Sequence, residues 1–198
     1  MSPVFKKFLL ITISFFLFSG VAHAESNNTI NHNIGLSYVS GVSDVFDFYD
    51  KNPNLYFEST PLPIGISYKA TYNIDNGIRI DAGVGPIAFI TGAVDYLDIP
   101  LNITAGYTFL KNNRVRPYVR GGISYHIMSG DYILDKAGMG ILGAAGLKIR
   151  IHGRFAAFVE LSYDTAEATF EIIDPYWSYY DKETIKLSSA VLTAGVSF

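Results

Sequence analysis

The feature that most constrains this chain is a period-two alternation of apolar and polar residues, which runs from Asn33 to Phe198. Such alternation is typical of β-strands that bury one face. It predicts strands at 31–40, 62–74, 78–91, 96–110, 115–129, 137–151, 155–168 and 185–198. After the first 24 residues, no apolar run approaches the roughly 20 residues that a membrane-spanning helix needs. The apolar side chains must therefore be buried on strands.

The two faces of the predicted strands differ in charge. Ten charged residues share the face that is rich in Gly and small residues, namely Lys69, Arg79, Asp81, Asp98, Arg116, Arg120, Lys148, Arg150, Glu160 and Asp164. The other face is uncharged through its middle, and only Glu167 and Lys186 share its parity. A cation that faces lipid near the bilayer midplane costs about 2–4 kcal/mol. We therefore predict that the apolar face contacts lipid and that the ten charges form an ion-pair network inside.

The connections between the predicted strands alternate in length. Three are tight and carry the Asn, Gly or Asp residues of hairpin turns, at 75–77, 111–114 and 152–154. The connections at 41–61, 130–136 and 169–184 are longer, whereas 92–95 is short for this pattern. Short turns at one end and longer loops at the other are typical of outer-membrane barrels. The predicted fold class is all-β, an eight-stranded antiparallel up-and-down transmembrane β-barrel.

Aromatic residues lie near both ends of the apolar face. Those toward the short turns are Tyr72, Tyr107, Phe109, Phe155 and Phe198, and those toward the loops are Tyr38, Tyr125 and Tyr163. This arrangement resembles the two aromatic girdles that membrane barrels place at the lipid–water interfaces. A soluble sandwich or lipocalin-like barrel, with its apolar face inside, is the alternative.

The first 24 residues are predicted to be a Sec-type signal peptide. Lys6 and Lys7 precede an apolar run at 8–21, and Ala22-His23-Ala24 matches a cleavage site. Cleavage near Ala24 would leave residues 25–198 as the barrel. Removing Lys6 and Lys7 from 15 basic residues leaves 13 against 18 acidic ones, a balance that does not suggest a nucleic-acid partner. The chain has no Cys, which excludes disulfides.

Two segments carry a family resemblance. The last strand, residues 190–198, alternates up to a final Phe198, and residues 105–109 and 116–125 flank a short turn with many Gly and aromatic residues. These segments resemble the small bacterial outer-membrane β-barrel superfamily, the OmpA/OmpX-like and opacity-protein-like group. The resemblance implies an outer-membrane location, insertion by the barrel assembly machinery, and contact with outer-membrane lipid and lipopolysaccharide. The group includes adhesins, serum-resistance proteins, structural anchors and lipid A enzymes, so the resemblance does not decide the activity.

Catalysis is not expected from the polar face. Ser124 and His126 share that face and could form a hydrolytic triad with Glu160 or Asp98. The resemblance implies that barrels which deacylate lipid A carry His-x-Ser, whereas this chain has Met128 two residues after His126. An eight-stranded barrel has an interior just wide enough for side chains, which also argues against a pore.

The long loops are the remaining candidates for function. They contain aromatic residues among acidic ones, namely Phe46, Phe48, Tyr49, Tyr56, Tyr176, Trp177, Tyr179 and Tyr180. Exposed Tyr and Trp suit protein recognition, although they could instead pack together or contact lipopolysaccharide. We expect a non-enzymatic surface protein that binds host surface proteins or envelope components through 41–61 and 169–184, without a cofactor or metal. The alternatives are a structural envelope barrel without a ligand, a lipid A hydrolase and a small pore.

Overall fold

The computed structural model describes residues 30–42, 44–45, 47, 63–90, 96–130, 133, 137–173, 180–187 and 190–198. The predicted signal peptide lies outside these residues, as does most of the 41–61 loop. The strands are β1 (Ile30–Val39), β2 (Ile64–Asn73), β3 (Ile78–Ile90), β4 (Tyr96–Thr108), β5 (Val115–Gly130), β6 (Ala137–His152), β7 (Phe155–Asp164), β8 (Glu167–Ile173), β9 (Tyr180–Lys186) and β10 (Ala190–Ser197). Within the described residues, no helix has the length and apolar character needed to cross a membrane.

Eight of these strands close into a barrel in the order β1-β10-β7-β6-β5-β4-β3-β2, and each neighbouring pair is antiparallel. The predicted fold class is therefore confirmed. The first and last barrel strands close the wall, with Gly35 opposite Gly195. A Cβ atom at Gly195 would collide with the carbonyl oxygen of Ile34, so this close approach of the two strands requires glycine.

The predicted loop at 169–184 was wrong in part, because most of it is a β-hairpin. The wall strand β7 ends at Asp164 rather than at 168, and β10 begins at Ala190 rather than at 185. Between them, β8 and β9 pair with each other in a separate two-stranded sheet, from Glu167 opposite Lys186 to Ile173 opposite Tyr180. The alternation of apolar and polar residues continues through β8 and β9. These two strands, however, pair with each other and not with strands of the barrel wall.

The barrel has a polar interior and an apolar exterior, the reverse of a soluble protein. Large apolar side chains such as Ile103, Leu147 and Leu192 are exposed on the outside of the wall. Asp81, Glu160 and other charged side chains are buried within it. The predicted aromatic residues at both ends of the apolar face are exposed as well: Tyr38, Tyr72, Tyr107, Phe109, Tyr125, Phe155, Tyr163 and Phe198. An apolar surface of this extent is stable against lipid rather than water.

Candidate functional site

The centre of the barrel interior contains a buried carboxylate shared by several donors. Glu160 on β7 accepts hydrogen bonds from Lys69 Nζ at 2.7 Å, from Tyr118 Oη at 2.8 Å, and from Arg120 Nη2 at 2.7 Å and Nε at 3.0 Å. The two cations come from β2 and β5, which lie on either side of β7 around the barrel. Burial of these charges is tolerated because each is paired and hydrogen-bonded.

A second buried pair lies beside the first. Arg79 on β3 donates from Nη2 to Asp81 Oδ1 at 2.7 Å and from Nε to Oδ2 at 3.0 Å. Thr104 joins the two groups, because its hydroxyl oxygen lies 3.1 Å from Arg120 Nη1 and 3.3 Å from Asp81 Oδ2. The interior of the barrel is therefore crossed by one connected network from β2 to β7.

The ten charges predicted to face inward are not all equivalent. Seven are buried: Lys69, Arg79, Asp81, Asp98, Arg120, Glu160 and Asp164. Arg116 and Lys148 are only partly buried, and Arg150 is exposed. These last three lie at the short-turn end of β5 and β6, and within the described part of the chain no ion pair joins any of them to a carboxylate.

A third polar group lies nearer the loop end, around His126 on β5. Its Nδ1 is 2.9 Å from Asp98 Oδ2, and its Nε2 is 3.3 Å from Asp164 Oδ2. A hydrolytic triad needs one ring nitrogen on a carboxylate and the other on the nucleophile. Here both nitrogens face carboxylates, so neither is placed to take a proton from Ser124. Within the described residues, no group of three or more acidic, His or Cys side chains is arranged to hold a metal ion.

The interior also contains a small cavity that is lined by both polar and apolar side chains. It has a volume of about 30 Å³, and its lining includes Asn33, Lys69, Asn102, Arg120 and Glu160. A volume of this size holds water molecules but not a larger solute. The side-chain oxygen of Asn102 is buried without a protein hydrogen-bond partner, which makes this wall of the cavity a suitable place for water.

An apolar cluster closes the loop end of the interior, and the sequence analysis missed it. Its buried members are Val39, Val42, Val45, Ala88, Tyr96, Met128, Ala168, Phe170, Leu187 and Val191, with Ile133 packed against them. We call this set the cap. The sequence contains a signal for the cap. Along the inward parity of β7 and the residues after it, charged Glu160 and Asp164 are followed by apolar Ala168 and Phe170. Among the described residues, those that fill the loop end of the interior are therefore apolar rather than charged.

Phe170 connects the cap to the β8–β9 hairpin. Its side chain is fully buried, its ring centroid lies 6.5 Å from that of Tyr96, and its backbone bridges to Ile133. The hairpin therefore stands on a packed base at the mouth of the barrel. Of the aromatic residues predicted to bind a partner, Tyr180 is the first residue of β9. The others, Phe46, Phe48, Tyr49, Tyr56, Tyr176, Trp177 and Tyr179, lie outside the described residues.

We expect Phe170→Ala to release the hairpin from the cap without unfolding the barrel. Replacing a fully buried Phe by Ala typically costs about 3–5 kcal/mol. Because β8 and β9 form a sheet of their own outside the closed barrel, that loss falls on the docking of the hairpin. Limited proteolysis should then cut within residues 167–187 at least about tenfold faster than in the unaltered protein.

The exposed Thr184 on β9 provides the matched control. Thr184→Ala should leave the proteolysis rate unchanged within a factor of about two, as expected for a surface substitution. Equal cleavage rates in the Phe170→Ala and Thr184→Ala proteins would contradict the assignment of Phe170 as the anchor.

The geometry can be compared with known proteins. No protein-family model and no curated protein sequence matches the chain. The solved structures that resemble it include three bacterial proteins of low sequence identity. The outer membrane protein OprG from Pseudomonas aeruginosa superposes with a TM-score of 0.61 at 12% identity, over 86% of this chain and 93% of OprG.

The other two are also outer-membrane or surface proteins of bacteria. Neisserial surface protein A gives a TM-score of 0.54 at 14% identity, over 87% of this chain and 96% of that protein. A major outer membrane protein from Thermus thermophilus gives 0.51 at 10% identity, over 86% and 99%. All three alignments span nearly the whole barrel. The chain therefore has the fold of the small outer-membrane β-barrels.

Proposed function

We propose that this protein is a non-enzymatic surface protein of the outer membrane, in which the loop end binds a partner protein. The single observation that carries this proposal is the β8–β9 hairpin, which stands on the cap through the buried Phe170. In the sequence, its paired strands flank the segment 174–179, which reads Asp-Pro-Tyr-Trp-Ser-Tyr.

Preorganisation of the β8–β9 hairpin supports a binding role. A hairpin whose base is packed loses little conformational entropy when its tip binds, so more of the contact energy appears as affinity. Tyr and Trp provide large contact area and a polar group, and they are enriched among the residues that dominate binding energy. An aromatic segment supported by paired strands is therefore suited to protein recognition.

The closed interior favours recognition over transport. The Glu160 network occupies the centre, and the cap occupies the loop end. The one cavity described above, about 30 Å³ in volume, admits only water-sized molecules. A conducting pore would require these groups to separate, whereas a binding role requires no change in the interior. At His126 both ring nitrogens lie on carboxylates, an arrangement that does not favour activation of Ser124 for hydrolysis.

The proposal predicts that binding depends on the tip of the hairpin. In one variant, residues 174–179 are replaced by Asn-Gly, a two-residue turn that joins Ile173 to Tyr180 and preserves the β8–β9 register. In a second variant, Tyr176, Trp177 and Tyr179 are changed to Ser. The folded barrels are screened by surface plasmon resonance against serum and extracellular-matrix proteins and against purified lipopolysaccharide.

We expect both variants to lose at least about 2 kcal/mol of binding energy, roughly a thirtyfold loss of affinity, as for removal of aromatic anchors. Heat-modifiable gel mobility should persist, which shows that the barrel still folds. Lys111→Gln, in a short turn at the opposite end, is the control and should bind normally. Undiminished binding by both tip variants, or no binding by the unaltered protein to any protein of the panel, would reject the proposal, and binding to lipopolysaccharide alone would reject it as well.

A further inference from the structure

Four cations form a compact block at the short-turn end of β5 and β6. Arg116 lies directly opposite Lys148 across the strand pair. One step closer to the turn, the backbone N–H of Arg150 donates to the carbonyl oxygen of Arg114 at 2.8 Å. Arg116, Lys148 and Arg150 lie within the strands and have the parity of the inward face, so their side chains share one side of the wall at the mouth of the barrel. Arg114 is exposed in the adjacent turn. We call Arg114, Arg116, Lys148 and Arg150 the basic block.

The basic block differs from the charged groups deeper in the barrel. Lys69, Arg79 and Arg120 each have a carboxylate partner at 2.7 Å. No salt bridge to a carboxylate is present for any member of the block within the described residues. Instead, Arg116 experiences electrostatic repulsion from Arg150, and Lys148 experiences repulsion from Arg79 and then from Arg116. Like charges directly opposite each other in a sheet are destabilising, so this arrangement calls for a compensating anion.

One buried polar atom strengthens the argument. The Nε atom of Arg116 is inaccessible to solvent and has no hydrogen-bond partner. A guanidinium nitrogen that is buried without an acceptor loses its hydration and gains nothing in return. An oxygen atom held between Arg116 and Lys148 would satisfy this donor and reduce the repulsion between the two strands.

The block lies on the short-turn side of the interior network, and Lys148 at its inner side still experiences the charges of Arg79, Lys69 and Asp81. Tyr118 is the next inward residue after Arg116 on β5, and its buried ring lies between the block and the interior network. The guanidinium carbon of Arg79 lies over this ring, 4.3 Å from its centroid. Gly146 makes room for this ring, because a Cβ atom there would lie 2.5 Å from Tyr118 Oη. The three short turns add Lys111 and Arg154 around the mouth, and their single acidic residue is Asp75. An anion would therefore approach the block from the short-turn side.

We infer that the basic block is a binding site for a phosphate group at the short-turn mouth of the barrel. Guanidinium groups bind phosphate oxygens through paired hydrogen bonds, and a lysine ammonium adds a compact charge. The phosphate group could belong to an anionic phospholipid of the adjacent leaflet or to a phosphorylated solute in the periplasm. The inference does not depend on the proposed partner at the opposite end.

The test measures stabilisation of the barrel by phosphate-bearing probes. The mature protein is refolded in dodecylmaltoside, and its unfolding midpoint in urea is followed at constant ionic strength with chloride, inorganic phosphate or pyrophosphate. The same measurement is made in nanodiscs of phosphatidylcholine with and without phosphatidylglycerol. The two arms distinguish a free phosphate from a lipid headgroup.

Arg116→Gln/Lys148→Gln is the variant that removes the centre of the block. It should bind the probe at least about tenfold more weakly, as expected when charge-assisted hydrogen bonds are lost. Without any probe, its unfolding midpoint should be higher than that of the unaltered protein, because the repulsion has been removed. Lys111→Gln/Arg154→Gln loses the same charge at the same end and should retain the probe affinity within about threefold.

The detergent and nanodisc measurements distinguish the two sources of the phosphate group. Stabilisation by pyrophosphate in detergent supports a solute phosphate, and stabilisation only in phosphatidylglycerol nanodiscs supports a lipid headgroup. The inference is overturned if no probe stabilises the unaltered protein, or if Arg116→Gln/Lys148→Gln and Lys111→Gln/Arg154→Gln weaken the response equally, since that result indicates nonspecific attraction by net charge.

Discussion

Replacement of Glu160 by glutamine is expected to lower the free energy of unfolding of the barrel by about 3–5 kcal/mol. Glutamine keeps the size of the side chain but removes the charge that balances Lys69 and Arg120. Both cations are buried, so neither can recover its hydration. The glutamine amide nitrogen is a donor and cannot accept the hydrogen bonds that Tyr118 and Arg120 donate to the carboxylate. The loss should therefore exceed that of one ordinary hydrogen bond.

Urea titration of the folded barrel in lipid vesicles, followed by gel mobility, measures this loss. Glu167→Gln is the matched control, because Glu167 is exposed at the start of the β8–β9 hairpin and should contribute no more than about 0.5 kcal/mol. In the double variant Glu160→Gln/Lys69→Met, one unpaired cation is removed, so the total loss should be smaller than the sum of the two single losses. Additive losses, or a loss below about 1 kcal/mol for Glu160→Gln, would show that the interior network is not coupled.

The positions of the wall strands were predictable because membrane and interior impose opposite chemistry on alternate residues. The predicted strand at 115–129 is observed as Val115–Gly130, and that at 137–151 as Ala137–His152. In these two strands, the positions of the apolar face include glycine but no charged residue. The tight turns that begin or end each strand fix its boundary on that side. Where both constraints apply, the alternation determines the strand and its face.

The prediction failed where the chain leaves the membrane. Beyond Asp164, apolar residues continue at alternate positions, but alternation does not say which strand is the partner. A strand that pairs across the barrel and one that pairs within its own hairpin have the same pattern. The β8–β9 hairpin and the cap around Phe170 were therefore missed, although the residues that build them are visible in the sequence.

The partners of the interior charges were equally inaccessible to sequence reasoning. Glu160 lies 91 residues from Lys69 and 40 from Arg120 along the chain. Their contact depends on barrel closure and on the tilt of the strands, which a one-dimensional pattern does not contain. The sequence indicated which residues face inward. The structure adds that Arg116, Lys148 and Arg150 differ from the rest, because no carboxylate lies opposite them within the described residues.

Val159 tests the orientation of the barrel wall, because it is the sequence neighbour of Glu160 and faces the other way. It lies four residues from Phe155 and four from Tyr163, and these three side chains are 50%, 60% and 54% exposed. If the two aromatic residues mark the interfaces of an apolar band about 25 Å tall, Val159 is at its midplane. Val159→Arg should then cost about 2–4 kcal/mol of folding free energy in lipid vesicles, or prevent insertion.

Ile151→Arg is the control that distinguishes the effect of depth in the bilayer from the effect of losing apolar surface area. Ile151 is at least as exposed as Val159 and shares its outward parity, but it lies next to the short turn at 152–154, where an arginine can reach the headgroups. Its substitution should cost no more than about 1 kcal/mol. If the wall instead faced water, both arginines would be tolerated and Val159→Arg would increase solubility without detergent. A lipid-facing wall imposes opposite requirements on the neighbours Val159 and Glu160, since it excludes charge outside and needs the carboxylate inside. A water-facing wall would not impose this difference.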